Sequence, residues 1–391
     1  MNISALDESG KAVDWWFIYK VPELTKGANN DQATGYEYVY FDPTSSAVEK
    51  SHYVINEGKG ALNQTLDSVF KTSDKTTGWI LYNDEMPANA DKGRDNGNLG
   101  HTKGVIAFDT ASKTAYWLLH SWPKFSDPEA TQDPTPKYGQ TYLCISLDIA
   151  TAGKIATQMA NHQEPQTYLC NTANLAHTDP LYKLSQPLTP NPPALDDTID
   201  LKSRGGMPFK VIAKNREWNQ DFWNDLVGPT LGDDMDVETW IRGPIPPIAD
   251  RDGIHKTFDI KFINLGPLGA HWAWPETHDH AKWGITKNTD WICVGDINRM
   301  ISQRKRGGGT IAFQNKILWH ALSKTDLILA PPGHSRTEAL GIIQTSQQSE
   351  EPPKTTKTTH VKLAPAKSPP PPKHKAAAKP KLAPKKKTKK K

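Results

Sequence analysis

A chain of 391 residues with 36% hydrophobic side chains, including 13 Trp, 11 Tyr and 10 Phe, has ample material for a folded core. Its 3 cysteines are too few for a disulfide scaffold, and no apolar run reaches the roughly 18 residues that a membrane span requires. The net charge of +4 hides two opposite regions: after residue 350 the chain carries 14 Lys and one Glu, a balance of +13, which leaves −9 for the first 350 residues.

The N-terminus, MNISALDESGKAVDWWFIYK, lacks the basic start and apolar stretch of a secretory signal, and no compartment is assigned. Apolar residues at three- and four-residue spacing predict helices over Leu62–Lys71, Ala150–His162, Trp218–Leu226 and Lys316–Lys324. Short apolar runs predict strands over Thr77–Asn83, Gly104–Phe108, Ala115–His120 and Thr141–Leu147. A second set covers Pro208–Ala213, Thr239–Ile241, Phe258–Asn264, Trp291–Val294 and Thr310–Phe313. Between the sets, QPLTPNPPALDD (186–197) reads as a Pro-rich linker. Strands interleaved with helices predict a mixed α/β (α+β) layered fold in two halves, about 1–185 and 198–345. One of the three cysteines, Cys144, Cys170 and Cys293, must stay unpaired within a monomer, and a Cys144–Cys170 bridge is not favoured. Residues 346–391 are rich in Lys, Pro and Ala, bury almost nothing and are expected to be disordered. Such a tail is either a solubilising extension or a non-specific polyanion tether acting by counterion release.

Two segments carry chemistry. Gly97-Asn98-Leu99-Gly100-His101-Thr102-Lys103-Gly104-Val105 runs from a Gly-rich loop into a strand, and His278-Asp279-His280-Ala281-Lys282-Trp283 precedes the strand at Trp291. Each contains His-x-Lys. Residues two apart on an extended chain share a face, so His101 with Lys103 and His280 with Lys282 can meet one phosphate if the halves face each other. Cleaving a phosphodiester without a metal needs a nucleophile, a proton donor for the leaving alkoxide, and cations beside the phosphoryl oxygens. Histidine can fill either of the first two roles near neutral or mildly acid pH, and lysine the third. The triplet alone is a weak signal, since His360-Val361-Lys362 in the tail fits it by chance.

Longer motifs are more specific. Val13-Asp14-Trp15-Trp16 with Tyr19-Lys20, Trp79-Ile80-Leu81-Tyr82-Asn83-Asp84, Gly100-His101-Thr102-Lys103-Gly104-Val105, His120-Ser121 and Gly139-Gln140-Thr141 occur in that order. Asp279-His280-Ala281-Lys282-Trp283, Cys293-Val294-Gly295-Asp296-Ile297-Asn298-Arg299 and Arg306-Gly307-Gly308-Gly309-Thr310 follow. On these stretches, which reach to about residue 325, the chain resembles the deoxyribonuclease II (acid deoxyribonuclease) family of the phospholipase D superfamily.

The resemblance implies a phospholipase D-like fold, two similar halves each with a sheet flanked by helices, and an active site between them. It also implies metal-independent endonuclease action on DNA, with no cofactor and an acid pH optimum. One histidine would attack phosphorus and form a phosphohistidine; the other would protonate the 5′ oxygen and then activate water, leaving 3′-phosphate ends. The sequence does not order the two, and His101 is favoured as nucleophile with His280 as acid. In that superfamily an Asn follows the motif histidine by 18 residues, which leads from His280 to Asn298, whereas the same step from His101 leads to Leu119. Asn298 and Asp296 therefore take supporting roles, with His120 and Ser121 as first-half counterparts. Gly307, Gly308 and Gly309 either let backbone amides approach phosphate or form a hairpin. Trp283, with Trp272 and Trp274, could flank the groove. Animal members of the family carry a Cys directly after the second motif's Trp, where this chain has Gly284, so that bridge is not carried over.

Three rival readings stay open. A metal nuclease could use Glu276, His278, Asp279 and His280, but no second cluster has metal spacing. A phospholipase D-superfamily phosphodiesterase could act on another substrate, and a non-catalytic DNA-binding protein could work through the tail alone. The expected partner is double-stranded DNA without sequence preference, with no membrane. A homodimer is expected because two sites could then act on opposite strands.

Overall fold

Strand β1 (Trp15–Lys20) reads WWFIYK and is buried along its whole length. Trp15, Phe17 and Tyr19 enter one hydrophobic cluster, while Trp16 and Ile18 enter another. The two-residue period of a strand thus sorts one apolar run into two cores, and the run shows no alternation because both faces are covered. The computed structural model describes residues 2–25, 32–85, 99–125, 136–246, 255–325 and 329–330. The Lys-rich tail, its HVK triplet and Gly97-Asn98 lie outside them.

β1 belongs to an eight-stranded sheet with β2 (Tyr38–Phe41), β3 (Glu49–Lys50), β4 (Thr77–Tyr82), β5 (Gly104–Asp109), β6 (Thr114–His120), β7 (Gln140–Asp148) and β8 (Thr167–Asn171). The order is β8-β4-β5-β6-β7-β1-β2-β3, antiparallel throughout. A second eight-stranded sheet is built from β9 (Asp196–Lys202), β10 (Pro208–Lys214), β11 (Met235–Thr239), β12 (Thr257–Ile260), β13 (Lys282–Thr286), β14 (Trp291–Gly295), β15 (Gly308–Gln314) and β16 (Leu329–Ala330). Its order is β9-β10-β15-β14-β13-β11-β12-β16, with β11 and β12 the parallel pair.

The sheets share one core. Trp15, Phe17, Ile106 and Trp117 of the first belong to the same cluster as Val211, Ile292, Ile311 and Phe313 of the second. Trp15 and Phe313 meet across it edge to face, 5.0 Å between ring centroids. Removing either ring should destabilise the domain by about 3–5 kcal/mol through lost transfer energy and the cavity left behind. Helix Gly60–Phe70 covers the outer face of the first sheet, placing Ala61, Leu62 and Val69 against Trp16 and Ile18. A π-helical turn, Phe222–Val227, covers the outer face of the second. Helix Ile149–Gln158, whose N-cap Asp148 accepts from the Thr151 amide at 2.6 Å, adds Ala152, Ile155 and Ala156 to the shared core.

The mixed α/β class expected from sequence is observed, with sheets dominating. Four expectations shift, the first being the helix expected over Trp218–Leu226, which is a 3-10 turn (Arg216–Trp218) followed by the π-helical turn Phe222–Val227. The strand expected at Thr239–Ile241 runs instead from Met235 to Thr239. Phe258–Asn264 breaks in two, its second piece (Phe262–Asn264) pairing with Ala273–Pro275 outside the large sheets. The Pro-rich segment ends early, because β9 already takes Asp196 and Asp197. All three cysteines are free, and Cys293 lies directly opposite Gly284 on β13 and β14.

Candidate active site

Each His-x-Lys segment enters an interior strand of its own sheet, β5 or β13, and each is held by main chain from the other half. His101, Thr102 and Lys103 lead into β5. The His101 amide donates to the Gly307 carbonyl at 2.8 Å, and its Nδ1 lies 2.5 Å from the Asp296 carbonyl oxygen. A carbonyl only accepts, so Nδ1 carries the proton and Nε2 keeps its lone pair. Nε2 lies 3.5 Å from Asp84 Oδ2. The other Asp84 oxygen pairs with the Lys103 ammonium, and Arg306 Nη2 approaches the same carboxylate at 3.4 Å. Arg306 also donates to the Leu99 and Gly100 carbonyls, tying the loop ahead of His101 to the second sheet.

The second segment is held in mirror fashion. The His280 amide donates to the Gly139 carbonyl at 2.9 Å, and the Gly139 amide donates to the His278 carbonyl at 2.8 Å. This close approach needs glycine: a Cβ on Gly139 would stand 2.7 Å from Asp279 Oδ1. Gly307, the corresponding seat for His101, would put its Cβ 2.7 Å from the Gln163 carbonyl oxygen. Beneath His280, the Asp279 carboxylate accepts from Tyr19, from Trp274 Nε1 at 2.8 Å and from the Ala281 amide at 2.7 Å. The His280 ring stacks on Tyr138 (3.9 Å between centroids, 12° between planes) and tilts against Trp240 at 4.1 Å. Its Nε2 has no hydrogen-bond partner among the described residues. Lys282, the first residue of β13, donates to the His280 carbonyl at 2.5 Å.

Electrostatics link the four motif residues. Burial lowers the basicity of His101 well below the ordinary histidine value, and Lys103, Lys282 and Arg306 add to this while Asp84 opposes it. Burial likewise holds His280 far below its ordinary value, reinforced by Lys282, Lys103, His101 and Arg242. Lys282 falls to about 7, chiefly through burial and then through Lys103. Burial alone would raise Asp84, but Lys103, His101 and Arg306 outweigh it and keep this carboxyl well below the usual range. Asp296, sited between the motifs, is pushed up to about 8 by burial, with Lys103 pulling the other way and Asp84 adding to the rise.

Of the expected supporting residues, Asp296 and His120 contact the first motif directly. Asp296 and Asn298 are buried, and Oδ1 of each has no partner among the described residues. The His120 amide donates to the Lys103 carbonyl, and its Nδ1 accepts from the Trp122 amide at 3.2 Å. Burial, then Lys103, brings His120 down to about 3. Ser121 donates to Gln140 Oε1 and accepts from the Thr141 amide, bracing the strand end that leads back to Gly139. Gly308 and Gly309 open β15 and pair with Lys214 and Ala213.

Other expectations are corrected. Trp272, Trp274 and Trp283 are 3%, 0% and 0% exposed and lie in the shared core, so their rings do not flank a groove. The carboxylate imagined as a metal ligand, Asp279, is instead satisfied by Tyr19, Trp274 and the Ala281 amide. Four contributors were not singled out from sequence: Asp84, Arg306, Tyr138 and Trp240. Asp84 and Arg306 stand inside two of the quoted motifs, which was the available signal. Tyr138 and Trp240 stand outside the quoted motifs, and their sequence positions gave no sign of contact with His280.

Comparison with known proteins agrees with this geometry. The family model described as Deoxyribonuclease II matches residues 4–330. A protein of Burkholderia pseudomallei named "Putative deoxyribonuclease-2" is 64% identical over 348 residues, covering 89% of this chain and 99% of the relative. "Deoxyribonuclease-2" of Caenorhabditis elegans is 33% identical, covering 82% and 92%. "Deoxyribonuclease-2-alpha" of Rattus norvegicus is 29% identical, covering 82% and 91%. With both His-x-Lys segments intact and seated across two sheets, this chain belongs to the deoxyribonuclease II family.

Proposed function

We propose that the chain is an endonuclease that hydrolyses DNA phosphodiester bonds without a metal, best at acid pH, through a phosphohistidine. The observation that carries this reading is the hydrogen bond from His101 Nδ1 to the Asp296 carbonyl. It leaves Nε2 as the lone-pair nitrogen, beside Asp84 and within electrostatic reach of Lys103 and of Lys282 from the second motif. His101 Nε2 attacks phosphorus and the P–O5′ bond breaks, while His280 Nε2 gives its proton to O5′. A water then loses a proton to His280 and attacks phosphorus; the P–N bond breaks, freeing a 3′-phosphate and restoring both histidines. Lys103 and Lys282 stabilise the charge that gathers on the phosphoryl oxygens.

The acid optimum follows from the sign of the shifts. Burial and the ammonium groups depress both histidines, so the protonated form that His280 must supply is present only at low pH. Phosphate entering the pocket raises both values part of the way back. The strand runs β4-β5-β6-β7-β1 and β11-β13-β14-β15-β10 keep the same chain order of parts, each taking its His-x-Lys between the first two strands. This supports a phospholipase D-like pair of related halves, about 1–185 and 198–345. Residues 346–391 are proposed as a non-specific DNA tether. A homodimer acting on opposite strands is part of the proposal, and sedimentation at duplex-cutting concentrations would sink it by showing a monomer.

The test is plasmid cleavage across about pH 4 to 9, with and without excess EDTA. A bell with its maximum below neutrality and unchanged by EDTA is expected. Activity that vanishes with EDTA and returns with magnesium overturns the metal-free mechanism. Fragments should prime a polymerase only after phosphatase treatment; immediate priming would reverse the assignment of leaving group.

A further inference from the structure

Two lysines outside both motifs occupy equivalent places. Lys20 ends β1 and pairs with Gln140, one residue after the Gly139 carbonyl that seats His280. Lys214 ends β10 and pairs with Gly308, one residue after the Gly307 carbonyl that seats His101. Both side chains are 0% exposed. Lys20 Nζ donates to the carbonyls of Val21 (3.0 Å), Gly35 (2.7 Å) and Pro136 (3.1 Å). Lys214 Nζ donates to the carbonyls of Gln303 (3.2 Å), Arg304 (3.0 Å) and Arg306.

An ammonium has three N–H groups, and each lysine donates to three main-chain carbonyls among the described residues. Both ammonium groups are committed to main chain and shut off from solvent. Burying a charge is expensive, so each is expected to do something that an apolar residue could not. What each does is visible in the carbonyls it gathers. Lys214 draws in the turn 303–306, which carries Arg306 and delivers Gly307 to the His101 amide. Lys20 draws in Pro136, at the foot of the segment that delivers Tyr138 to the His280 ring and Gly139 to its amide. Lys20 also lies over the Trp122 ring at 4.7 Å, and Lys214 faces Glu164 and Arg306.

We propose that Lys20 and Lys214 are crosswise positioning residues: Lys20, in the first sheet, seats His280 of the second, and Lys214, in the second sheet, seats His101 of the first. The assignment of the histidines as reacting groups rests on the proposed function. The crosswise seating itself is read from main-chain hydrogen bonds and can be tested without catalysis.

The experiment is NMR titration of the ring resonances of His101 and His280 in the full chain, in Lys20→Met and Lys214→Met. A loosened seat admits water and relieves the desolvation that depresses the histidine it holds. Lys214→Met should therefore raise the pKa of His101 and leave His280 unchanged, and Lys20→Met should do the reverse. Each should lower kcat on plasmid by about 100-fold with little change in KM, the scale of a misplaced reacting group. Lys→Arg at either place should restore part of the loss. Equal shifts in both histidines, or a shift in the histidine of the lysine's own sheet, would overturn the proposal. Should a methionine variant fail to fold, Lys→Gln at the same position gives the same readout. Selective ring shifts in a chain whose wild type does not cut DNA would leave the seating intact and refute the nuclease mechanism instead.

Discussion

The two His-x-Lys segments share a spelling and differ in surroundings. Around His101 lie a carboxylate, a backbone carbonyl and two cations: Asp84, the Asp296 carbonyl, Lys103 and Arg306. Around His280 lie two aromatic faces, Tyr138 and Trp240, and its Nε2 has no hydrogen-bond partner among the described residues. The first environment fixes a tautomer and orients a lone pair. The second strips water from a ring and fixes no proton. The motif supplies the atoms, and the neighbours divide the labour between them.

The largest test of that division removes the rings themselves. His101→Ala and His280→Ala should each abolish plasmid cleavage in a folded chain, and the double variant should be hardly worse, because groups that act as a unit are not additive. Substantial activity in either single variant would remove that histidine from the site. Next, Lys103→Ala and Lys282→Ala should each slow turnover about 100-fold or more, by analogy with other stabilisers of transition-state charge. Equal losses would say that the two cations share the phosphate evenly; a loss confined to one would make the other purely structural.

The pH profile sharpens the comparison further. Asp84 opposes the fall in His101 basicity, so Asp84→Asn should lower it again. A nucleophile must be neutral, and the acid limb should move to lower pH by about one unit; a shifted alkaline limb would exchange the two roles. Tyr138→Ala should act on the other limb. The aromatic face favours a cation by about 0.5–2 kcal/mol, but burial is the larger influence on His280 and works the opposite way. Opening the stack should raise its value and carry the alkaline limb to higher pH. A fall would show that the π contact wins over desolvation. The smallest effect belongs to the tail. Truncation from residue 349 should leave short-oligonucleotide turnover nearly unchanged and weaken retention on long DNA, with the difference shrinking as salt rises.

Much of this was legible before the fold. Strands from Gly104, Ala115 and Thr141 were marked by apolar runs, and both His-x-Lys segments by their spacing and flanking motifs. The strand Trp15–Lys20 was not, because burial on both faces erases alternation. Asp196–Lys202 was hidden by its exposed, acid-rich face and its Pro-rich approach. Tryptophan near a motif suggested a groove wall at Trp283, yet the ring lies inward, 6.3 Å from Tyr19. Tyr138 was out of reach for another reason. Its partner His280 lies 142 positions away, and only tertiary pairing brings them together.

The exchanged carbonyls have one more consequence. His101 hangs on Gly307 and Asp296 from the second sheet, and His280 hangs on Gly139 from the first. Cut between the sheets, the chain would yield two fragments, each bringing one motif and the seat for the other's. A chain that ends after the first sheet has His101 and Asp84 but lacks the two carbonyls, of Gly307 and Asp296, that hold the histidine's amide and Nδ1. Neither motif can therefore be fully seated until both sheets are present, and the seat at Gly307 is the last of these positions in the chain.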